Sequence, residues 1–380
     1  MADRESQFVA RLAPGVSALD AAQWDALARA DDPFLSHVFL AALENSASVG
    51  ADSGWSPLPI LIDDEAGNLV GAAPAYLKTH SQGEYVFDHG WADGYEQAGG
   101  QYYPKLQIAV PFTPVPGRRL LGTRPQHLLA AAEAVVVQNG LSSAHATFIA
   151  DEELREFEQR GWLIRDGIQY HWRNRDYASF DDFLAALTSR RRKVVRKERK
   201  AARDGLEFLV LRGSEIRPAH WDAMWDFYQD TGSRKWGHPY LTRPFFDLLG
   251  EKMGDRVLLM LALRDGRAVA GALNLVGADT LYGRYWGTSE EQPFLHFELC
   301  YYQAVEWAIA HGLRCVQAGA QGEHKLARGY EPVLTHSAHF IADPGFRQAV
   351  GQFLDGERAM IAQEMALLRK ELPYRSDTAS

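Results

Sequence analysis

Cysteine is almost missing from this sequence, with two in 380 residues, Cys300 and Cys315. They fall in a predicted helix and a predicted strand, where a small buried hydrophobe is the ordinary role, and no paired spacing suggests a metal site. A disulfide framework is therefore excluded, and a reducing compartment fits. Long apolar runs are missing too. The longest, 128–137 and 257–263, fall far short of the roughly 20 residues of a spanning helix, so no segment is expected to cross a membrane. The first 20 residues carry Asp3, Arg4, Glu5 and Arg11 without an apolar core, so no export signal is expected either. The expected location is cytoplasmic, with room for a peripheral position at the inner membrane face.

What is present is core material. Hydrophobic residues make up 46% and aromatics 11% of the chain, enough for two domains of ordinary globular type. Charge is unevenly spread. Between Arg190 and Arg203 nine cations face Glu198 alone, about +8, which leaves about −17 for the rest of a chain whose net charge is −9. A basic element on an acidic body suits an acidic carrier protein, the phosphates of coenzyme A or anionic lipid headgroups, or it is a solvated face. Nucleic acid is disfavoured because the acidic body opposes its approach.

The chain reads as a diverged repeat. A helix opening around Trp24-Asp25-Ala26 answers to one around Trp221-Asp222-Ala223, and each is followed by a second helix, 34–43 and 240–249. A strand, turn and strand come next: 59–62, Asp63–Gly67 and 69–73 in the first half; 257–263, Arg264–Gly266 and 268–275 in the second. Each half then runs through an amphipathic helix that stops at glycine into a strand: 125–139, Gly140 and 144–149; 298–311, Gly312 and 314–318. The order α-α-β-β-β-α-β indicates α+β architecture with mixed, largely antiparallel sheets flanked by helices. The expected domains are 1–167 and 168–380, the second including a basic helix over 180–204 and an amphipathic C-terminal helix over 343–371. The basic helix opens with a Ser179-x-x-Asp182 capping box and presents Phe183, Leu187 and Val194 as its apolar face. The C-terminal helix packs on the body or on another subunit.

Several motifs carry a resemblance. Residues 81–95 with Phe87-Asp88 and Trp91-Ala-Asp93, residues 102–117 with Tyr102-Tyr103-Pro104-Lys105, the stretch His296-Phe-Glu298-Leu-Cys-Tyr-Tyr-Gln303, and Gly319-Ala-Gln321-Gly-Glu323-His324-Lys325 together resemble the Fem-like N-acyltransferases of the GNAT superfamily. The branch is often labelled peptidoglycan biosynthesis protein. The resemblance covers nearly the whole chain and implies two tandem GNAT-like (acyl-CoA N-acyltransferase) domains. It implies transfer of an acyl group from a thioester carrier to an amine, with no permanently bound cofactor and with acyl-CoA or acyl-carrier protein as co-substrate. Related branches acylate long-chain amines, as in bacterial ceramide formation. Fem-type enzymes use aminoacyl-tRNA and carry a long helical-hairpin insertion that this sequence lacks. The Gln/Arg-x-x-Gly-x-Gly loop of simple GNAT acetyltransferases is missing as well. An aminoacyl-tRNA-dependent transferase acting on a peptidoglycan precursor and a non-catalytic lipid-binding scaffold are the alternatives.

N-acyl transfer needs a neutral amine, a base for its proton and donors for the oxyanion, but no metal. In the second half His296 and Glu298 precede a helix, as a proton-handling pair or as a cap and its neighbour. The turn after the apolar strand 314–318 offers Glu323 and His324 as base and orienting partner, with Lys325 and Arg328 as cations for a phosphate or oxyanion; the resemblance also implies a lysine in the site here. Arg284 and Trp286 alternate onto one side of a strand, facing a cleft or an exposed edge. In the first half Tyr85, Phe87, Asp88, Trp91, Tyr95, Tyr102 and Tyr103 form an aromatic, acid-dotted stretch that lines an apolar channel for an acyl chain or pins a long irregular loop, and a loop of that length suggests substrate binding. Asp88 or Asp93 would hold the acceptor ammonium, with Trp91, Tyr103 and Lys105 beside it. Gly232–Gly237 is either an anion clasp or a plain helix connection. His336 and His339, three apart in a predicted strand, face opposite ways, so shared metal ligation is not expected.

Overall fold

The computed structural model describes residues 8–29, 31–236, 239–319 and 322–375. The chain divides into two compact units. Unit 1 comprises residues up to Gly167 together with Leu334–Ala362, and unit 2 comprises Ile168–Val333 together with residues from Gln363 onward. The sequence predicts a single domain over 168–380, whereas residues 334–362 belong to unit 1.

Unit 1 begins with β1 (Val9–Leu12), α1 (Ala21–Ala28) and α2 (His37–Asn45). Asp20 and Ser36 cap the two helices by accepting from Gln23 N and Phe39 N. Then follow β2 (Trp55–Pro57), β3 (Ile60–Asp63) and β4 (Leu69–Ala73), β3 and β4 forming the expected hairpin. Pro74 breaks the strand, and β5 (Ala75–Lys78) continues in a different sheet. The stretch expected to be an irregular loop contains α3 (His89–Gln97) and β6 (Lys105–Ile108), joined through a cis Tyr103–Pro104 bond. Gly90 and Gly94 weaken the helical signal of α3, which is why the sequence concealed it. After β7 (Leu121–Gly122), α4 (Pro125–Gln138) starts with proline at its first turn and leads to β8 (Ser143–Ile149), α5 (Leu154–Gln159) and β9 (Leu163–Arg173).

The first five residues of β9 belong to unit 1 and the rest to unit 2. Unit 2 continues with α6 (Phe180–Ala186) and α7 (Ser189–Ala202), so the predicted single basic helix is two. Leu187 is extended between them and bridges to Tyr374, while Thr188 N donates to Pro373 O. The break resets the helical phase. Val195 is buried and Val194 is exposed, which corrects the expected apolar face.

Next come β10 (Glu207–Arg212), α8 (Pro218–Trp236), α9 (Arg243–Met253), β11 (Val257–Arg264), β12 (Arg267–Val276) and β13 (Thr280–Thr288). The connection expected at Gly232 is still helix, and Gly237 lies outside the described residues. The turn between β11 and β12 has Asp265 at φ 52° and Gly266 at φ 73°, the positive pair a tight hairpin needs. At Gly287 the backbone of α8 comes so close that a Cβ would lie 2.2 Å from Phe227 O. The following helix is interrupted: α10 (Leu295–Phe297), a π-turn (Glu298–Tyr302) and α11 (Gln303–Ala310) lead into β14 (Cys315–Gln317).

Strands β10 to β13 are antiparallel; β14 pairs parallel to β13, and β9 pairs antiparallel to β14. Unit 1 repeats this plan, with β5 and β6 antiparallel and β8 parallel to β6. Its closing strand is β15 (Glu331–Ile341), antiparallel to β8, so residues 334–341 join unit 1 through a ladder. The last helix, α12 (Pro344–Lys370), carries Val350 and Leu354 into a unit 1 cluster with Trp91 and Tyr102, whereas Leu368 joins the unit 2 core. No described helix is long and apolar enough to cross a membrane.

Candidate functional site

In unit 1 the sheet β15-β8-β6-β5-β2 has two unlike faces. On one, Leu106, Ile108, Ala144, Ala146 and Ala338 pack with α4 in a dry core. The alternate residues are polar and still buried: Lys78, Lys105, Gln107, Ser143, His145, Thr147, Ser337 and His339. Register aligns them, with Lys78 opposite Lys105, Gln107 opposite His145, and His145 opposite His339.

Lys105 is the hub. Its Nζ donates to Ser81 Oγ at 2.8 Å, Glu84 Oε2 at 2.8 Å and Asp88 Oδ2 at 2.5 Å. Asp88 occupies the N-cap position of α3 but makes no cap bond, because its carboxylate turns to Lys105 and accepts from Tyr102 OH at 2.6 Å. Tyr102 also meets His145 Nε2 at 3.3 Å, and the partly exposed Tyr103 reaches Ser81. Lys78 lies 3.9 Å over the Trp55 ring and 4.0 Å from Glu84 Oε1. Burial pulls the Lys78 ammonium down to about 7 and pushes the Glu84 carboxyl up to about 7. Burial opposes the charge of Asp88 as well, but Lys105 outweighs it and holds that carboxyl well below the usual range. Four buried atoms in this region accept or donate nothing within the described residues: Glu84 Oε1, Asp88 Oδ1, Gln107 Oε1 and Tyr76 OH. Each such atom costs about 1–3 kcal/mol when nothing satisfies it.

Of the unit 1 residues singled out from sequence, Asp88, Tyr103 and Lys105 thus come together. Trp91 packs edge-on against His339 at 4.9 Å. Asp93 is exposed on α3, away from the network, because the helical turn carries it to the opposite side. His336 and His339 take separate partners, Asp166 and His145. Sequence reasoning missed Lys78, Glu84 and His145. The alternation Ser143-x-His145-x-Thr147, repeated by Ser337-x-His339, was the available signal.

In unit 2 the described β13–β14 ladder runs from Thr280–Cys315 to Tyr282–Gln317, whereas β13 stays paired with β12 as far as Thr288. Beside the part of β13 beyond that ladder lie the rings of the interrupted helix. Trp286 is 5.1 Å from His296, His296 is 5.2 Å from Tyr301, and Tyr301 OH and His324 Nε2 are hydrogen-bonded at 2.9 Å. Burial pushes the Tyr301 hydroxyl up, so it stays neutral. Lys325 is buried, donates to Gly319 O at 2.8 Å and is pulled down to about 8 by burial.

Several expected roles change. Glu298 is fully buried and accepts from Arg199 Nε and Nη2 at 3.0 Å and from Arg203 Nε at 2.8 Å. It fastens α7 to the π-turn and has no access to an acceptor, so it is not the base. Arg328 Nη2 donates to both oxygens of Glu198 at 2.9 Å, and the guanidinium lies 3.4 Å over the Phe297 ring, so it is committed to structure and not to a phosphate. Glu323 is exposed on the 3-10 turn, and the ring partner of His324 is Tyr301. Arg284 is half-buried on β13, 5.4 Å from the Tyr285 ring. Gln321 lies outside the described residues. Glu198, Tyr301 and Tyr302 were missed; only the single acid within the basic run hinted at the first. Among the described residues no group of three or more His, Cys, Asp or Glu is arranged to hold a metal ion.

A family model, FemAB-like and described as peptidoglycan biosynthesis/recognition, matches residues 15–376, and the chain belongs to that family. Similar solved structures include FemX, 12% identical with a TM-score of 0.52 over 90% of this chain and 100% of that one. L-PGS from Bacillus licheniformis is 12% identical with a TM-score of 0.51, covering 86% and 98% of the two chains. The C-terminal domain of a putative lysylphosphatidylglycerol synthetase from Agrobacterium fabrum is 12% identical with a TM-score of 0.52, covering 88% and 95%. No curated protein sequence matches. The architecture is the expected α+β arrangement with mixed, largely antiparallel sheets flanked by helices, and its fold is similar to that of FemX.

Proposed function

We propose that this member of the FemAB-like family is an N-acyltransferase that moves an acyl group from a thioester to a primary amine, with its transfer centre in unit 2. The observation that carries the reading is the Tyr301–His324 pair beside the stretch of β13 that extends beyond the described β14 ladder. A strand edge supplies main-chain donors and acceptors to an extended donor arm, and Trp286 and Phe297 supply apolar contact for its acyl end. The amine nitrogen attacks the thioester carbonyl, forming the C–N bond, and His324 takes the proton it loses. The C–S bond then breaks, and the proton passes from the imidazole to the departing thiolate. Tyr301 holds the ring of His324 in orientation, as a third group does in other base-assisted acyl transfers. Lys325, buried one residue away, supplies positive charge for the developing oxyanion.

A coenzyme A or acyl-carrier thioester is the donor in this reading, and a long-chain amino alcohol of sphingoid type is the acceptor. The family description, peptidoglycan biosynthesis/recognition, supports a peptidoglycan-precursor amine as acceptor, and a second reading joins to it an aminoacyl ester donor. In the test, purified protein receives long-chain acyl-CoA with and without a long-chain amino alcohol, and free thiol is measured. Amine-dependent thiol release that is lost in His324→Ala, with an unchanged melting temperature, supports the first reading. An absence of thiol release, combined with amide formation from aminoacyl-tRNA, would replace it by the second.

A further inference from the structure

Helix phase splits the basic run into two sets of cations. The inner side of α7 buries Val195, Glu198 and Ala202. Arg199 and Arg203 reach Glu298 in the π-turn, and Glu198 accepts from Arg328 and from Tyr302 OH. The helix is thereby fastened to the segment that carries Tyr301. The outer side holds Arg190, Lys193, Lys197 and Lys200, whose spacing of three, four and three residues sets them in one stripe about 15 Å long, with Arg196 beside it. All five are exposed. Among the described residues the stripe makes one ion pair, Arg196 to Asp181 at 3.4 Å, between side chains 62% and 82% exposed. Such a pair neutralises little. Like charges three and four residues apart on a helix repel, so the stripe does not stabilise the isolated fold.

Three anionic partners fit this surface unequally. The phosphates of a small ligand such as coenzyme A need a concave site, whereas the outer side of a helix is convex. A lipid surface is a plane, which sets its negative charge against the acidic remainder of the chain as well as against the stripe. A helix that lies on lipid also sinks an apolar side into it. The apolar side of α7 is packed inside unit 2, and Val194 is its one exposed apolar residue. A small acidic protein covers the stripe alone. If it holds its acyl group on a flexible arm, it docks on the outer side of α7 while the thioester enters at the π-turn fastened to the inner side.

We propose that the outer side of α7 is the docking surface for an acidic acyl-carrier protein, which delivers the thioester to the transfer centre. The inference rests on the acyl-transfer reading above and names its donor.

Steady-state thiol release by the full chain tests it, with palmitoyl-loaded acyl carrier protein and palmitoyl-CoA as alternative donors. Wild type is compared with the triple variant Lys193→Glu, Lys197→Glu, Lys200→Glu. The variant should raise KM for the carrier about ten-fold or more at unchanged kcat and leave KM for palmitoyl-CoA within about two-fold, because reversed charge slows encounter with an acidic partner and spares the chemistry. Added salt should raise the wild-type KM for the carrier and narrow its distance from the variant. An unchanged carrier KM in the variant overturns the docking surface, and so does an equal rise with both donors. Loss of binding to phosphatidylglycerol vesicles at an unchanged carrier KM would assign the stripe to a lipid surface instead. Should neither donor release thiol, the acyl-transfer reading fails by itself, and calorimetric titration with the carrier decides the docking surface: binding lost in the variant keeps it, and binding absent or equal in both proteins overturns it. If the reversed charges prevent folding, the triple variant with Gln at the same three positions takes its place.

Discussion

His145 and His339 face each other across neighbouring strands with their Nδ1 atoms 2.7 Å apart. One nitrogen must donate and the other accept, so at least one ring is neutral, and burial disfavours the charged form of both. Burial accounts for this first, and nearby cations add to it: His145 is pulled down to about 3 by burial and then Lys105, and His339 falls well below the usual range by burial and then His145. Both folded values lie below the unfolded one, so the unfolded chain binds more protons once the pH falls below about 6.5. Stability should then drop by about 1.4 kcal/mol per pH unit for each ring between roughly pH 6 and 4. Denaturant midpoints measured at pH 7, 6 and 5 check this, and a flat profile would contradict it.

Glu298 has a structural role that predicts stability loss without chemical loss. In Glu298→Ala the guanidinium groups of Arg199 and Arg203 lose their shared carboxylate at the π-turn. Breaking a buried pair on one side costs about 3–5 kcal/mol, and the partial exposure of Arg203 brings the expectation to about 2–3 kcal/mol. Thermal unfolding reads the loss, while thiol release per folded molecule should remain within about two-fold.

Lys325 predicts the reverse. Its ammonium is desolvated and held to about 8, below the unfolded value, so the folded protein carries a penalty below pH 8 that is relieved as the pH rises. Lys325→Met removes that penalty and should melt at or above the wild-type temperature at pH 7. Its transfer rate should fall on the order of 10²-fold, the usual effect of losing an oxyanion donor. A destabilised variant with full activity would reverse both assignments.

For the Tyr301–His324 pair, His324→Ala should lower kcat by about 10²–10⁴-fold, the range for a general base. Tyr301→Phe should cost less, about ten-fold, because the phenol orients the ring and takes no proton itself. A pH–rate profile that loses its acidic limb only in His324→Ala would identify the imidazole as the titrating group. Equal profiles in both variants would mean that the base lies elsewhere.

Much of this protein was legible in one dimension. The hairpins, capped helices and glycine stops that build each half are local events, set by alternation, by Asp20, Ser36 and Ser179 as caps, and by the positive-φ pair Asp265–Gly266. The repeat and its α+β order followed from those signals, and Asp88 and Lys105 stood out as charges within an aromatic segment. Tertiary structure decided the partners. Nothing near Glu298 in sequence reveals that Arg199, 99 residues away, claims its carboxylate. No local pattern pairs His145 with His339, 194 residues on, or returns residues 334–362 to unit 1. A turn or a cap is fixed by neighbours in the chain, whereas the role of a buried charge is fixed by whichever opposite charge the fold brings within reach, and in this protein that choice belongs to strand register and helix phase.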